Sequence, residues 1–316
     1  MYNNSIKYNR INGGVFDKKS DEWEHVRKLS ESRIVQTYNP VIYKYRSLDI
    51  SADVGNIKEM PECGKYSYIN NFDRTIDIIR NNRIYAPKVE QLNDPFEGLY
   101  INFTVLGMMG DSIARGIGNR KRVLESMYKQ RIISMSKSAR IPQLWAYYAQ
   151  NYTGVCLVFR TNKTFKDYRD IVYYRSDDNP YIAGINDTDI IRKIGEINLF
   201  YKQIDWQSEQ EVRIRCDSQN EFLQFESPEL MAVILGQNIS HCMKNQIIEE
   251  CEKMNKEVYI AKIDYYNSKI YIIPYGTDMT GDGRDMYDKW YDFRENNPEK
   301  VSLNIKGELI ENDMIC

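Results

Sequence analysis

Two glutamates one residue apart, Glu209 and Glu211, lead into Arg213 and Arg215 within the run Asp205-Trp206-Gln207-Ser208-Glu209-Gln210-Glu211-Val212-Arg213-Ile214-Arg215. Val212 and Ile214 alternate with polar residues, the period-two signature of a half-buried strand. A strand running back through Glu209 projects Glu209, Glu211, Arg213 and Arg215 from its polar face. Residues two apart on one face stand about 7 Å apart. Two carboxylates at that separation repel by roughly 2 kcal/mol at an effective dielectric near 20. Gln or Thr at either position avoids that repulsion. Keeping both acids points to a ligand carrying positive charge or hydroxyls, or to internal neutralisation by Arg213 or Arg215. A solvated, charged strand edge is the plainer alternative.

The rest of the composition narrows the chemistry. Only two histidines, His25 and His241, occur in 316 residues, and neither lies near another candidate group in sequence. Ser-His and Cys-His catalysis, His-ligated zinc and a His general base are thereby disfavoured. Six cysteines are scattered without a C-x-x-C pair, so neither a zinc knuckle nor a redox dithiol is indicated. Lys plus Arg is 43 against 45 for Asp plus Glu, so no overall polycation grips nucleic acid, although a local basic groove remains open. Tyrosine, at 25 residues, is plentiful and suits a planar ligand, although packing uses most of it. The start lacks a charged and then apolar leader, and no run approaches about 18 apolar residues. A soluble, reducing, cytoplasmic setting without membrane contact is the expectation.

The elements that must position these residues are short and mixed. Asp21 to Ser32 fits one amphipathic helix within a polar N-terminal extension, residues 1–40. Val41-Ile42-Tyr43-Lys44-Tyr45-Arg46-Ser47 is rich in β-formers. Residues 49–65 are punctuated by Gly55, Pro61 and Gly64 as a loop. The spacing of Ile69, Phe72, Ile76 and Ile79 predicts a helix from Tyr68 to Asn82. Asn93-Asp94-Pro95 is turn chemistry, because Asx side chains bond nearby backbone and Pro fixes φ. Arg131 to Ser136 is strand-like, and Gln143 to Ala149 is helical up to Gly154. Val155-Cys156-Leu157-Val158-Phe159 reads as a strand covered on both sides. Ile171 to Tyr174 is a further strand, and Asp187 to Lys202 a helix feeding the acidic run. Met231 to Gly236 is a buried strand, Asn238 to Asn255 a helix, and Val258–Tyr265 with Lys269–Tyr275 a hairpin. The loop from Asp278 to Asp285 lacks calcium-ligand spacing and reads as a turn. The fold class is α+β, with mixed, mostly antiparallel short-strand sheets and flanking helices. One domain over 41–275 and a polar tail over 276–316 complete the organisation.

Four pieces stand in order: Tyr43-Lys44-Tyr45-Arg46; Asn93-Asp94-Pro95-Phe96-Glu97; Ser134-Met135-Ser136 with Trp145-Ala146-Tyr147-Tyr148-Ala149; and Trp206 with Glu209-Gln210-Glu211-Val212-Arg213. Together they resemble a bacterial family known as domain-of-unknown-function family 2971, over roughly residues 41 to 275, with Met135 replacing the usual Leu. That layout is in turn similar to the Arg, Ser-x-Ser, Glu-x-Glu order of toxin-like mono-ADP-ribosyltransferases.

This second resemblance implies an ADP-ribosyltransferase-like core and NAD as substrate. It implies Arg46 on NAD phosphate, Ser134 and Ser136 shaping the nicotinamide pocket, Glu211 holding the ribose and Glu209 helping the acceptor. Tyr45, Asn93, Asp94, Trp145 and Tyr148, drawn from the same motifs, are the remaining candidate cofactor contacts, with Asn93, Asp94 and Glu97 equally readable as a turn. The chemistry is coherent. Arg suits bidentate phosphate recognition. A fixed carboxylate stabilises the positive charge that builds on the ribose, and no metal is required. The acceptor is a protein, a nucleic acid or water, which makes the chain an ADP-ribosyltransferase, of a toxin or antiphage kind, or an NAD glycohydrolase. Two other readings stay open. One is a nuclease or other phosphate-processing enzyme using Asp94, Glu97, Glu209 and Glu211, with or without Mg²⁺. The other is a non-enzymatic sensor or partner-binding protein in which Arg46 and Glu211 form a buried ion pair.

Overall fold

A computed structural model of the chain describes residues 21–48, 71–103, 110–182, 187–265 and 268–276. The expected loop over 49–65, the turn over 278–285 and the polar tail from 277 onward lie outside these residues. The chain opens with α1 (Asp21–Arg33), β1 (Val41–Arg46), α2 (Asn71–Asn81), β2 (Arg83–Tyr85), β3 (Asn102–Phe103) and α3 (Gly110–Tyr128). Next come β4 (Arg131–Ser136), α4 (Pro142–Tyr147), β5 (Val155–Arg160), β6 (Arg169–Asp170), β7 (Val172–Tyr174), β8 (Tyr181–Ile182) and α5 (Thr188–Asn198). The last third supplies β9 (Tyr201–Gln203), β10 (Glu211–Cys216), β11 (Phe222–Gln224), β12 (Leu230–Gly236), α6 (His241–Lys253), β13 (Glu257–Asp264) and β14 (Lys269–Pro274).

The chain divides into two compact units. The first takes residues 1–35, 88–130 and 172–204. Within it α1 is no loose extension, since Trp23 and Val26 are buried in one cluster with Ile190, Ile191 and Ile194 of α5. Asn198 is fully buried there and satisfied on both sides. Its amide donates to the Gly98 carbonyl at 2.7 Å, and its oxygen accepts from Ile101 N–H at 2.9 Å. The Tyr100 and Tyr201 rings stack at 3.7 Å.

The second unit takes residues 36–87, 131–171 and 205–316. Its eight-stranded sheet has the order β14-β13-β12-β5-β1-β4-β10-β6. Every neighbouring pair is antiparallel except β12 and β13, which run parallel and are joined through α6. The α+β class and the mixed, mostly antiparallel sheet are thus as the sequence indicates. Alternation assigns each strand's two faces. Ile42, Ile133, Met135, Leu157, Val212 and Ile214 pack on one face with Ile78 and Ile79 of α2 and with Ile247 and Cys251 of α6. Tyr43, Tyr45, Cys156, Val158 and Ile234 pack on the other, with Leu144 and Trp145 of α4. β5 is buried from Val155 to Phe159, which is why its apolar run is continuous.

Beyond α4 the chain makes a left-handed turn, with φ of 47°, 53° and 64° at Gln150, Asn151 and Tyr152. It delivers Gly154 against β1. A Cβ on Gly154 would stand 2.1 Å from the Arg46 carbonyl oxygen and 3.0 Å from Ala149 backbone. Gly154→Ala is therefore expected to destabilise the protein by about 3 kcal/mol, because backbone on both sides cannot yield. A thermal melt unchanged from wild type would contradict that packing.

Candidate functional site

Register brings two of the candidate positions, Ser136 and Glu211, side by side. Tyr43 of β1 pairs with Ser136 of β4, and Ser136 pairs with Glu211 of β10. One step along, Arg213 pairs with Ser134. Val212 and Ile214 occupy the α2 face, so Glu211 and Arg213 project to the α4 face. That face is not solvated. Arg213 is 1 % and Glu211 4 % exposed, and Arg213 Nε donates to Glu211 Oε1 at 2.7 Å. Of the alternatives open for this run, internal neutralisation by Arg213 is the one present.

Glu209 is not on the strand. It ends a 3₁₀ turn over Ile204–Glu209, and Gln210 at φ 46° bends the chain into β10. Ser136 Oγ donates to the Glu209 carbonyl at 2.8 Å. The Tyr148 hydroxyl donates to Glu209 Oε1 at 3.0 Å. Ser136, Tyr148, Glu209 and Glu211 therefore gather on the α4 face. Tyr45 and Trp145 lie on that face too, but as core. Trp145 is fully buried, its indole N–H donates to Ala139 O at 2.7 Å, and Tyr45 packs edge-on against it at 5.2 Å. The Tyr45 hydroxyl donates to Ser138 O at 2.9 Å, and burial pushes its pKa well up. Both expected contacts are engaged in packing.

Arg46 stands elsewhere. Strand alternation puts Lys44 and Arg46 with Ile42 on the α2 face, opposite Glu211. The expected Arg46–Glu211 ion pair is therefore not formed, and Arg213 holds that carboxylate instead. Arg46 Nε donates to Thr75 Oγ1 of α2 at 3.0 Å. Lys44 and Arg46 line a cavity of about 640 Å³ whose other walls include Asn71, Arg74 and Asp77 from α2, and Tyr85. Several charges at its rim are already matched: Arg83 grips Asp77 at 2.9 Å and Arg80 grips Glu250 at 2.7 Å. Among the described residues, neither Lys44 nor Arg46 has a carboxylate within ion-pair distance. Burial, then repulsion from Arg74, lowers the Arg46 pKa to about 10.

Lys44 is the residue that the sequence reading passed over. β1 pairs with β5 along its whole length but with β4 only at Tyr43 and Ser136. Beside that junction the Lys44 ammonium donates to the Ser134 carbonyl at 2.7 Å. Burial and then Arg46 bring its pKa down to about 8, while Glu211 and Glu209 hold it up. Its ammonium therefore feels the cavity's cation and the glutamate pair together. The only signal for it was its place in the Tyr-Lys-Tyr-Arg motif.

Asn93, Asp94 and Glu97 belong to the first unit. Asn93 is exposed, and Asp94 Oδ1 accepts from Phe96 N–H at 2.9 Å, the Asx turn that Asn-Asp-Pro chemistry implies. Burial first, and the charges of Asp94 and Glu97 after it, push the Tyr174 hydroxyl up to about 12. Among the described residues, no group of three or more His, Cys, Asp or Glu is arranged to hold a metal ion. No helix among them is long and apolar enough to cross a membrane.

Residues 144–214 match the family described as a protein of unknown function, DUF2971. Over that stretch the chain is similar to this family. The matched segment contains Trp145, Tyr148, Glu209, Glu211 and Arg213 of the α4 face but not Ser136. No curated protein and no solved structure matches the chain.

Proposed function

We propose that this chain binds the diphosphate of NAD at Arg46 and cleaves the bond between nicotinamide and ribose, within an ADP-ribosyltransferase-like core. The observation that carries the reading is Arg46. It is a half-buried guanidinium lining a cavity of about 640 Å³, bonded to a neutral hydroxyl and, among the described residues, to no carboxylate. A guanidinium in that state is completed by a planar, two-pronged anion such as phosphate. The volume falls within the roughly 300–1,000 Å³ of small-molecule sites.

In the reaction the C1′–N bond breaks and nicotinamide leaves with the bonding electrons. The ribose becomes cationic, and an acceptor or water then bonds to C1′ and gives up a proton. A carboxylate fixed beside C1′ stabilises that cation more than the ground state. The family resemblance gives this role to Glu211. We assign it instead to Glu209, which the Tyr148 hydroxyl orients at the end of the 3₁₀ turn. Arg46 and the glutamates face opposite sides of the sheet, so we place the reacting bond at the β1–β4 boundary, where the strands pair at Tyr43 and Ser136 alone and Lys44 reaches Ser134. A cytoplasmic setting, where NAD is plentiful, goes with this reading. A macromolecular acceptor would make the chain a toxin or antiphage effector.

A second reading rests on the Glu211–Arg213 pair: a sensor that binds the phosphorylated ligand and leaves it intact. Calorimetry with NAD tests what the two share. Arg46→Lys is expected to weaken binding about tenfold, because an ammonium cannot reproduce the two-pronged grip. Unchanged affinity in a folded Arg46→Lys protein would make Arg46 structural.

A further inference from the structure

We propose that Lys44 is a second phosphate-holding group of the Arg46 cavity, gripping the same diphosphate from the neighbouring position on that face of β1. The inference rests on the cavity being a site for a phosphorylated ligand, and adds a residue that the Arg, Ser-x-Ser, Glu-x-Glu pattern does not assign. Alternation places Lys44 and Arg46 on one face about 6.6 Å apart. Both cationic side chains therefore enter the cavity from one strand face, Lys44 reaching toward β4 and Arg46 toward α2. Both side chains line the cavity, and among the described residues neither has a carboxylate within ion-pair distance, Glu211 and Glu209 acting on Lys44 only from farther off. Two cations this close and this buried repel each other unless an anion joins them.

The groups facing Lys44 leave it a distinct response to pH. On its own strand stands Arg46, and Glu211 and Glu209 act on it from the start of β10. Across the cavity α2 presents Asp73, Arg74, Asp77 and Arg80, β2 presents Arg83 and Tyr85, and Glu221 lies before β11. Asp77 is held ionised by Arg83, and Arg80 is committed to Glu250. Lys44 loses its proton near about 8, below Arg46 at about 10. A bound anion favours the ammonium, so it raises the Lys44 pKa. The sign follows: affinity is full below the pKa of the free protein and falls as pH rises through it.

The test is calorimetry with ADP-ribose, whose diester phosphates keep their charge throughout, at about pH 7 and about pH 9. Wild type, Lys44→Arg and Lys44→Met are compared, with folding checked by thermal melting. Wild-type affinity is expected to fall about tenfold between the two conditions, as the ammonium fraction falls by that factor. Lys44→Arg should hold its affinity at the higher pH, since a guanidinium stays protonated there. Lys44→Met should bind about tenfold more weakly at the lower pH and show no further fall. A Lys44→Met protein with wild-type affinity and the wild-type pH response would overturn the role of Lys44 alone. A wild type that binds no ADP-ribose at either pH would overturn the phosphate reading of the cavity, and this inference with it.

Discussion

Glu209→Gln is expected to lower the rate of nicotinamide release from NAD by about 10²- to 10³-fold while leaving NAD affinity nearly unchanged. The amide keeps the shape of the side chain and can still accept from Tyr148, whose hydroxyl lies 3.0 Å from Glu209 Oε1. What it lacks is the charge that meets a cationic ribose, and losing one preorganised contact of that kind typically costs about 10²- to 10³-fold. Binding at Arg46 stays, because Arg46 lies on the other face of the sheet and touches α2. Stopped-time assays of nicotinamide, paired with calorimetry on the same protein, separate the two effects. Equal release by a folded Glu209→Gln protein would remove Glu209 from the chemistry.

The second large effect concerns stability. Arg213→Met should cost about 3–5 kcal/mol, since it leaves the Glu211 carboxylate buried without its charge partner. Both groups are almost wholly inaccessible, at 1 % and 4 %, so water cannot substitute for the lost donor. A loss of that size lowers the melting temperature by about 6 °C or more. The double variant Arg213→Met, Glu211→Leu should recover much of it, because replacing both members of a buried pair by apolar groups is often near neutral. If the single variant melted with wild type, the ion pair would contribute nothing measurable to stability. If the double variant were no better than the single, packing rather than charge would set the loss.

Much of the scaffold is legible in the sequence for simple reasons. β5 and β12 announce themselves as unbroken apolar runs because both of their faces are covered. The Asp187 side chain caps α5 by accepting from Asp189 and Ile190 N–H, as an Asx residue before an apolar-periodic run should. The site was harder to read, and particular residues say why. Alternation through Val212 and Ile214 correctly put Glu211 and Arg213 on one face. It could not show that Trp145, Tyr148 and their neighbours cover that face, since those lie some sixty residues earlier. Gln210 adopts φ 46° without being glycine, so nothing in the run warned that Glu209 leaves the strand. In β1 apolar residues occupy both parities, Val41, Ile42, Tyr43 and Tyr45, so the face that Arg46 takes was unreadable until α2 was packed. The pairing of distant segments into two units leaves no local mark at all.

NAD cleavage is tested most directly by one incubation: wild-type protein with NAD, followed by chromatography of nicotinamide and of free or attached ADP-ribose. The expected result is nicotinamide accumulating in step with the sum of free and acceptor-bound ADP-ribose, and its loss in Glu209→Gln. NAD recovered intact from folded wild-type protein that binds it would contradict cleavage and leave a sensor in its place.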